Sequence, residues 1–302
     1  MKVIPPITIT GALLTSSTAA EPAAGETAWV SGTTYAVGDR RIRTTTHRIY
    51  ERLTAGAGTT APESDAINWL DVGPTNKWAM FDLYRNTATS QASPLTVVIT
   101  PGKRVDAIAL MGVQADSVTI SVSVSAVVVY TVTAGMTLHN SVSWSGYFYG
   151  SFGYQPSFVR FDLPLFANAV ITVTLTRASG NAVCGALCLG RAVDLGTVLS
   201  QARSDGLNFS TITRDAFGNA TLVPRRTVPK TDQTLMVPKA QVDSLRDVRT
   251  ALNAVPAVWS GLDDQDIDGY FEALLILGIY KEFSLSLNNQ TYATLTLQLE
   301  EI

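Results

Sequence analysis

The chain has 302 residues and a formal net charge of -3; 46% of its residues are hydrophobic and 16% are charged. This balance excludes an intrinsically disordered chain and predicts two or three globular domains. With no excess of basic residues, a nucleic-acid partner is not expected. No segment approaches the ~20 consecutive apolar residues of a membrane span, so membrane insertion is not expected either.

The first predicted element is an extended N-terminal arm over residues 1–26. Pro5, Pro6 and Gly11 interrupt the apolar stretch that a secretory signal requires, so the pattern does not predict a signal peptide. The arm carries few charged side chains, which suits contacts with other subunits. We therefore expect this segment to take part in assembly.

Residues 27–75 predict a miniature β-module built around a Gly-Asp turn at positions 38–39. Its aromatic residues recur at intervals along the module and are Trp29, Tyr35, Tyr50 and Trp69. A domain this small has little surface to bury, so these same rings are also expected to form its hydrophobic core. Two interpretations stay open: the rings stack on sugars, or they pack on each other.

Residues 76–184 predict an antiparallel, jelly-roll-like β-sandwich. Polar and apolar residues alternate over 117–125, and β-rich runs occur at 95–100, 105–113, 127–132, 158–163 and 169–176. These six segments belong to a set of roughly eight strands expected in about a hundred residues without an intervening helix, which is typical of a sandwich or jelly roll.

A loop within this region, residues 139–156, carries a second aromatic cluster among serine and glycine. The candidate contact residues are Trp144, Tyr147, Tyr149 and Tyr154. Rigid aromatic side chains beside small polar ones suit an adaptable surface for a protein partner or a glycan. In the alternative interpretation, the loop packs its rings over the edge of the sandwich.

Residues 185–302 predict an α+β domain. A hairpin turn at 215–219 is followed by a helix at 239–254 and by strands at 274–280, 281–287 and 292–299. At the boundary where this region starts, Cys184 and Cys188 lie four residues apart, a spacing that places both on one face of a strand. They predict reduced thiols in a core rather than zinc ligands.

Motifs for catalysis or metal binding are few. Asp264, Asp266 and Asp268 precede Gly269 at the spacing of a calcium loop, but Leu275 stands where that loop needs a bidentate glutamate. This segment is therefore either a solvated acidic turn or a weak calcium site. Since no nucleophile elbow, phosphate loop or dinucleotide fingerprint occurs, we predict neither an enzyme nor a cofactor.

The module resembles the small chitin- and cellulose-binding modules of chitinases. Their pattern is a Trp, then Tyr-x-x-Gly-Asp, an apolar residue, another Tyr, and a Pro before a closing Trp. The matching residues here are Trp29, Tyr35, Gly38, Asp39, Ile42, Tyr50, Pro62 and Trp69. Those modules present adjacent aromatic residues beside the closing Trp, where this chain has a single ring at position 69.

The module, the run over residues 69–82 and the domain order resemble a group of tail-tip or baseplate structural proteins of tailed bacteriophages. The resemblance implies a minor tail protein, made in the host cytoplasm and located in the virion. It also implies a symmetric homo-oligomer with other tail or baseplate proteins as partners, in which the α+β domain builds a ring. The alternative is a glycan-binding host-recognition protein, whose aromatic residues stack on a cell-surface glycan.

Overall fold

The computed structural model describes residues 1–138, 143–150, 153–199, 202–262, 271–287 and 291–302. Over these residues the chain is mainly β and its strands form antiparallel sheets, as the sequence predicts. The strands of the N-terminal segment and the small module are β1 (Lys2–Ile4), β2 (Leu14–Ser17), β3 (Thr34–Tyr35), β4 (Arg40–Arg43), β5 (Arg48–Arg52), β6 (Gly56–Ala57) and β7 (Trp69–Pro74).

The central region continues the β-structure and contains one short helix. Its strands are β8 (Thr89–Ala92), β9 (Leu95–Ile99), β10 (Ala107–Met111), β11 (Ser117–Val124), β12 (Val127–Gly135), β13 (Thr137–Leu138), β14 (Gly153–Tyr154), β15 (Ser157–Arg160), β16 (Val170–Thr176), β17 (Asn181–Cys184) and β18 (Ala186–Gly190). The helix is α1 (Trp144–Tyr149), and 3-10 turns cover Pro62–Ser64 and Ala79–Phe81.

The C-terminal region combines long strands with a second helix. Its strands are β19 (Val193–Asp194), β20 (Thr197–Val198), β21 (Arg203–Asn208), β22 (Thr211–Arg214), β23 (Ala220–Val223), β24 (Thr227–Pro238), β25 (Ala257–Ser260), β26 (Leu275–Ser286) and β27 (Tyr292–Glu301). The helix is α2 (Val242–Ala251), and 3-10 turns cover Lys239–Gln241 and Glu272–Leu274.

Two sheets form the central sandwich. The larger has the strand order β12-β11-β16-β9-β2 and the smaller the order β15-β10-β18. Apolar residues that alternate along β9, β11 and β16 share one core with Leu110 and Phe158 of the smaller sheet. The predicted strands of this region are confirmed, while the jelly-roll strand order stays a prediction.

The smaller sheet is buried on both faces. Every residue of β10 and β18 is buried. Leu110 belongs to the sandwich core, whereas Ala109 packs in a second cluster with Leu277 of the C-terminal region. The protein therefore stacks three sheets in layers. β18, which follows the predicted boundary at 184/185, pairs with β10, so residues 186–190 lie in the smaller sheet.

The third layer is a large sheet with the order β19-β1-β25-β26-β27-β24-β20, and β21 also pairs with β24. The helix predicted at 239–254 is present as a 3-10 turn followed by α2, whose Leu245 packs with Trp259. The strands predicted at 274–280 and 281–287 are one strand, β26. A register shift between Tyr280 and Glu282 bends this strand without ending its pairing with β27.

The N-terminal segment is built into these sheets. β1 pairs with both β19 and β25 inside the large sheet, and β2 pairs with β9 at the edge of the sandwich. Val3 and Ile4 have no exposed surface and contribute to the cores on opposite faces of the sheet. The segment is extended, as predicted, but its two strands contact the chain's own sheets. The expectation that it makes assembly contacts therefore gains no support from β1 and β2.

Candidate functional site

Three of the four aromatic residues of the small module form its core. Tyr35, Tyr50 and Trp69 are buried together, and Trp29 packs against them while half-buried. The Tyr35 and Trp69 rings meet edge to face, with centroids 5.2 Å apart. The Tyr35 hydroxyl donates a hydrogen bond to the Val30 carbonyl and accepts one from the Val30 amide. The three buried rings therefore offer little open surface to a sugar.

Arginine side chains lie over the ring faces of this module. A guanidinium carbon lies 5.0 Å from the ring centroid in each of the pairs Arg41–Tyr35, Arg43–Trp29 and Arg52–Trp69. Such contacts are favourable because the ring faces carry negative charge density. Glu63 orients Arg43 by accepting three hydrogen bonds from its guanidinium, and these hydrogen bonds lower the pKa of the Glu63 carboxyl. This arrangement favours the interpretation in which the rings pack within the module.

The second aromatic cluster is a short helix with exposed rings. We call α1, residues Trp144–Tyr149, the aromatic helix. The exposed fractions of Trp144, Phe148 and Tyr149 are 79%, 68% and 90%. The sequence predicted a loop, but the Ser143 hydroxyl accepts a hydrogen bond from the Gly146 amide at 3.1 Å. This N-cap explains why a helical turn begins at Trp144.

Helical spacing brings three of these rings together. Trp144 and Phe148 lie one turn apart, with centroids separated by 6.3 Å and ring planes inclined by only 20°. Tyr147 meets both of them edge-on. Tyr154 lies on β14 instead, with the Arg177 guanidinium carbon 5.1 Å from its ring centroid. The near-parallel, exposed pair could stack on the apolar face of a sugar or on another flat group.

The sequence reasoning missed a buried polar cluster around Glu21, whose side chain is 6% exposed. Its carboxylate accepts hydrogen bonds from Thr75 Oγ1 at 2.7 Å and Trp78 Nε1 at 3.0 Å, and contacts His47 Nδ1 at 2.9 Å. The His47 ring also stacks on Trp78. These residues come from the N-terminal segment, the module and the start of the sandwich region. We infer that Glu21 connects these three segments structurally.

The two thiols and the candidate metal ligands were also identified from the sequence. Cys184 and Cys188 are free and buried, as predicted, and burial raises the pKa of each thiol to about 12. Both therefore stay protonated at neutral pH. Among the described residues, no group of three or more His, Cys, Asp or Glu side chains could hold a metal ion. The candidate calcium residues Asp264, Asp266 and Asp268 lie outside the described residues.

Among the described residues, the longest exposed stretch is a hairpin, residues 203–226, which we call the hairpin arm. β21 pairs with β24 at its root, and β22 pairs with β23 beyond it. The turn predicted at 215–219 is confirmed, because Asp215 accepts hydrogen bonds from the Phe217 and Asn219 amides. Every residue of the arm except Ser210 is exposed. The exposed apolar residues are Leu207, Phe209, Ile212, Phe217, Leu222 and Val223.

Neither a protein-family model nor a curated protein matches this chain. Among the described residues, no helix has the length and apolar character needed to cross a membrane. Function is therefore inferred from the two exposed surfaces, the aromatic helix and the hairpin arm, together with the sequence resemblance.

Proposed function

We propose that this protein is a structural component of the tail tip or baseplate of a tailed bacteriophage and assembles as a symmetric homo-oligomer. The proposed oligomerisation rests on the exposed surface of the hairpin arm. A two-stranded hairpin is marginally stable in water when nothing covers it. Contiguous exposed apolar surface, such as Ile212 and Leu222 provide here, is typical of an interaction site.

The tail-tip part of the proposal rests on resemblance. The small module, the run over residues 69–82 and the order of module, sandwich and α+β region are the features that carry it. In this proposal the protein resides in the virion, other tail or baseplate proteins are its partners, and the large sheet region builds the ring. The module serves as a projecting spacer, since its aromatic rings are used in its own core.

Electron microscopy of the purified full-length protein tests the assembly. We expect closed, symmetric particles with projecting knobs, because closed point-group symmetry lets one interface recur around an axis. Mass photometry of the same sample should give a single species at an integer multiple of the chain mass. A monomer at every concentration up to the micromolar range would contradict the proposal.

Glycan binding for host recognition is the second candidate function, and the aromatic helix favours it. Trp144 and Phe148 present near-parallel rings to solvent, in contrast to the covered rings of the module. Sugar rings have apolar faces that stack on such exposed aromatic surfaces. The two functions are compatible, since the arm and the helix involve different segments of the chain.

The Trp144→Ala variant tests glycan binding. We expect its retention by a binding polysaccharide to fall about tenfold, because one aromatic stacking contact is removed. The free energy of unfolding should change by less than about 0.5 kcal/mol, since Trp144 is largely exposed. Affinity electrophoresis against chitin, cellulose and host cell-surface polysaccharides measures the retention.

The matched control is Tyr84→Ala, which removes an exposed aromatic side chain from a different loop. We expect this variant to be retained as strongly as the wild type. Equal weakening in both variants, or no retention of the wild type by any polysaccharide tested, would contradict a glycan site at the aromatic helix.

A further inference from the structure

We propose that the hairpin arm of one copy docks, through one defined face, on the body of a second copy of this chain. This inference rests on the assembly part of the proposed function, and it identifies the surface and the partner. Docking of this kind has three requirements. The arm must have an apolar face, and its own chain must leave that face uncovered. A second copy of the chain must also be a suitable partner for it.

The strand register defines the face. In the β22–β23 pair, Ile212 stands opposite Leu222, so their side chains lie on the same side of the hairpin. The neighbouring pair, Thr213 and Thr221, lies on the other side because side chains alternate along a strand. Ile212 and Leu222 are 65% and 66% exposed. On β22 and β23, Ile212 and Leu222 therefore share one face with Arg214 and Ala220, and the other face holds three threonines and Val223.

The root of the arm is fixed to the body of the same chain. Arg226 donates a hydrogen bond to Glu301 at 2.6 Å, and Arg85 donates to the other oxygen of the same carboxylate at 2.6 Å. The Glu301 side chain is 5% exposed, so its carboxylate is sheltered from water, while the Arg226 and Arg85 side chains are 42% and 26% exposed. With its root fixed and its length exposed, the arm extends away from its own body. The apolar face is thus available to another molecule.

Charge favours a second copy as that molecule. The arm holds four arginines and two aspartates, a net charge of +2, and the whole chain carries -3, so the remainder carries -5. An arm that meets the body of another copy therefore brings opposite net charges together, whereas two arms would repel each other. Such an arm-to-body contact joins two different surfaces of the chain. When the rotation that relates one copy to the next closes on itself, this kind of contact generates a ring.

The arm docks by its face rather than by adding a strand along its edge. Asp205 Oδ1 accepts a hydrogen bond from the Gly206 amide at 2.7 Å, which uses a backbone donor of β21 locally. The side chains of Arg203 and Asp205 also place charges on this strand, and charged residues are a common means of blocking edge pairing. The exposed Ile212–Leu222 pair provides the apolar contact of the docking face, while the exposed Val223 lies on the opposite face.

A pair of double variants tests this inference. Ile212→Asp with Leu222→Asp places two carboxylates on the proposed docking face. Thr213→Asp with Thr221→Asp makes the same charge change at the adjacent cross-strand pair on the opposite face. We expect the apparent dissociation constant of the oligomer, measured by mass photometry over a dilution series, to rise about a hundredfold for the first variant only. Urea denaturation of the body should be unchanged in both, because all four residues are exposed.

The outcomes separate this inference from the proposed function. If the wild type and both variants assemble equally, the arm is not the interface and the assembly proposal stands. If both variants lose assembly equally, the assignment of the docking face is overturned. If the wild type is monomeric at every concentration, both the arm inference and the symmetric assembly fail.

Discussion

The Val3→Asp variant is expected to lose the native large sheet, with a decrease of more than about 4 kcal/mol in the free energy of unfolding. Val3 has no exposed surface and lies on β1, between β19 and β25. It pairs with Trp259 on β25 and shares an apolar cluster with Leu195. A carboxylate placed in this cluster would lose its hydration, and most of the stability of an ordinary domain would be lost with it.

Urea denaturation followed by circular dichroism measures this effect. The control is Thr8→Asp, which introduces the same side chain at an exposed position of the same N-terminal segment. We expect the control to unfold at the wild-type urea concentration. A Val3→Asp variant with the wild-type midpoint would show that β1 contributes little to the large sheet.

The Trp69→Ala variant is expected to unfold the small module while the three stacked sheets remain folded. Removing a buried tryptophan costs about 3–5 kcal/mol, and the core of this module has two other buried aromatic rings, Tyr35 and Tyr50. A domain of this size has little stability in reserve. Limited proteolysis should therefore cut the variant within residues 27–75, and near-ultraviolet circular dichroism should lose part of the tryptophan signal.

Leu70→Ala provides the control, because Leu70 is the next residue on β7 and is 52% exposed. We expect its proteolysis pattern to match that of the wild type. If Trp69→Ala instead stays folded and loses affinity for a polysaccharide, Trp69 belongs to a sugar platform, and the structural interpretation of the module is wrong.

Local periodicity predicted much of the fold. The alternation over 117–125 became β11, and the helical spacing near 239–254 became α2, because each pattern records how one element buries one face. It was harder to predict which other sheet or strand each of these elements packs against. The run at 105–113 indicated a strand, but only the structure shows that β10 lies between two other sheets. Similarly, nothing local indicated that β1 pairs with β25, more than 250 residues away along the chain.

The sequence predicted which residue types form the candidate sites, but it did not predict which of their side chains are exposed. The sequence identified the aromatic residues of both clusters, since their spacing is visible. Whether a ring is open depends on what covers it: Arg52 covers Trp69 in the module, whereas Trp144 is left exposed on its helix. The hairpin arm shows the same limit, because the turn at 215–219 was predictable and the lack of a covering element was not.

The position of β1 in the large sheet has a consequence for how the protein is made. The strand that holds β1 on one side, β25, leaves the ribosome about 250 residues after β1 does. At bacterial and eukaryotic translation rates this delay is roughly ten to fifty seconds. During that time β25 has not yet been made, so Val3 and Ile4 lack the strand that pairs with them on that side. The large sheet closes only late in synthesis, and chains truncated before residue 257 would lack the completed sheet from which the arm extends.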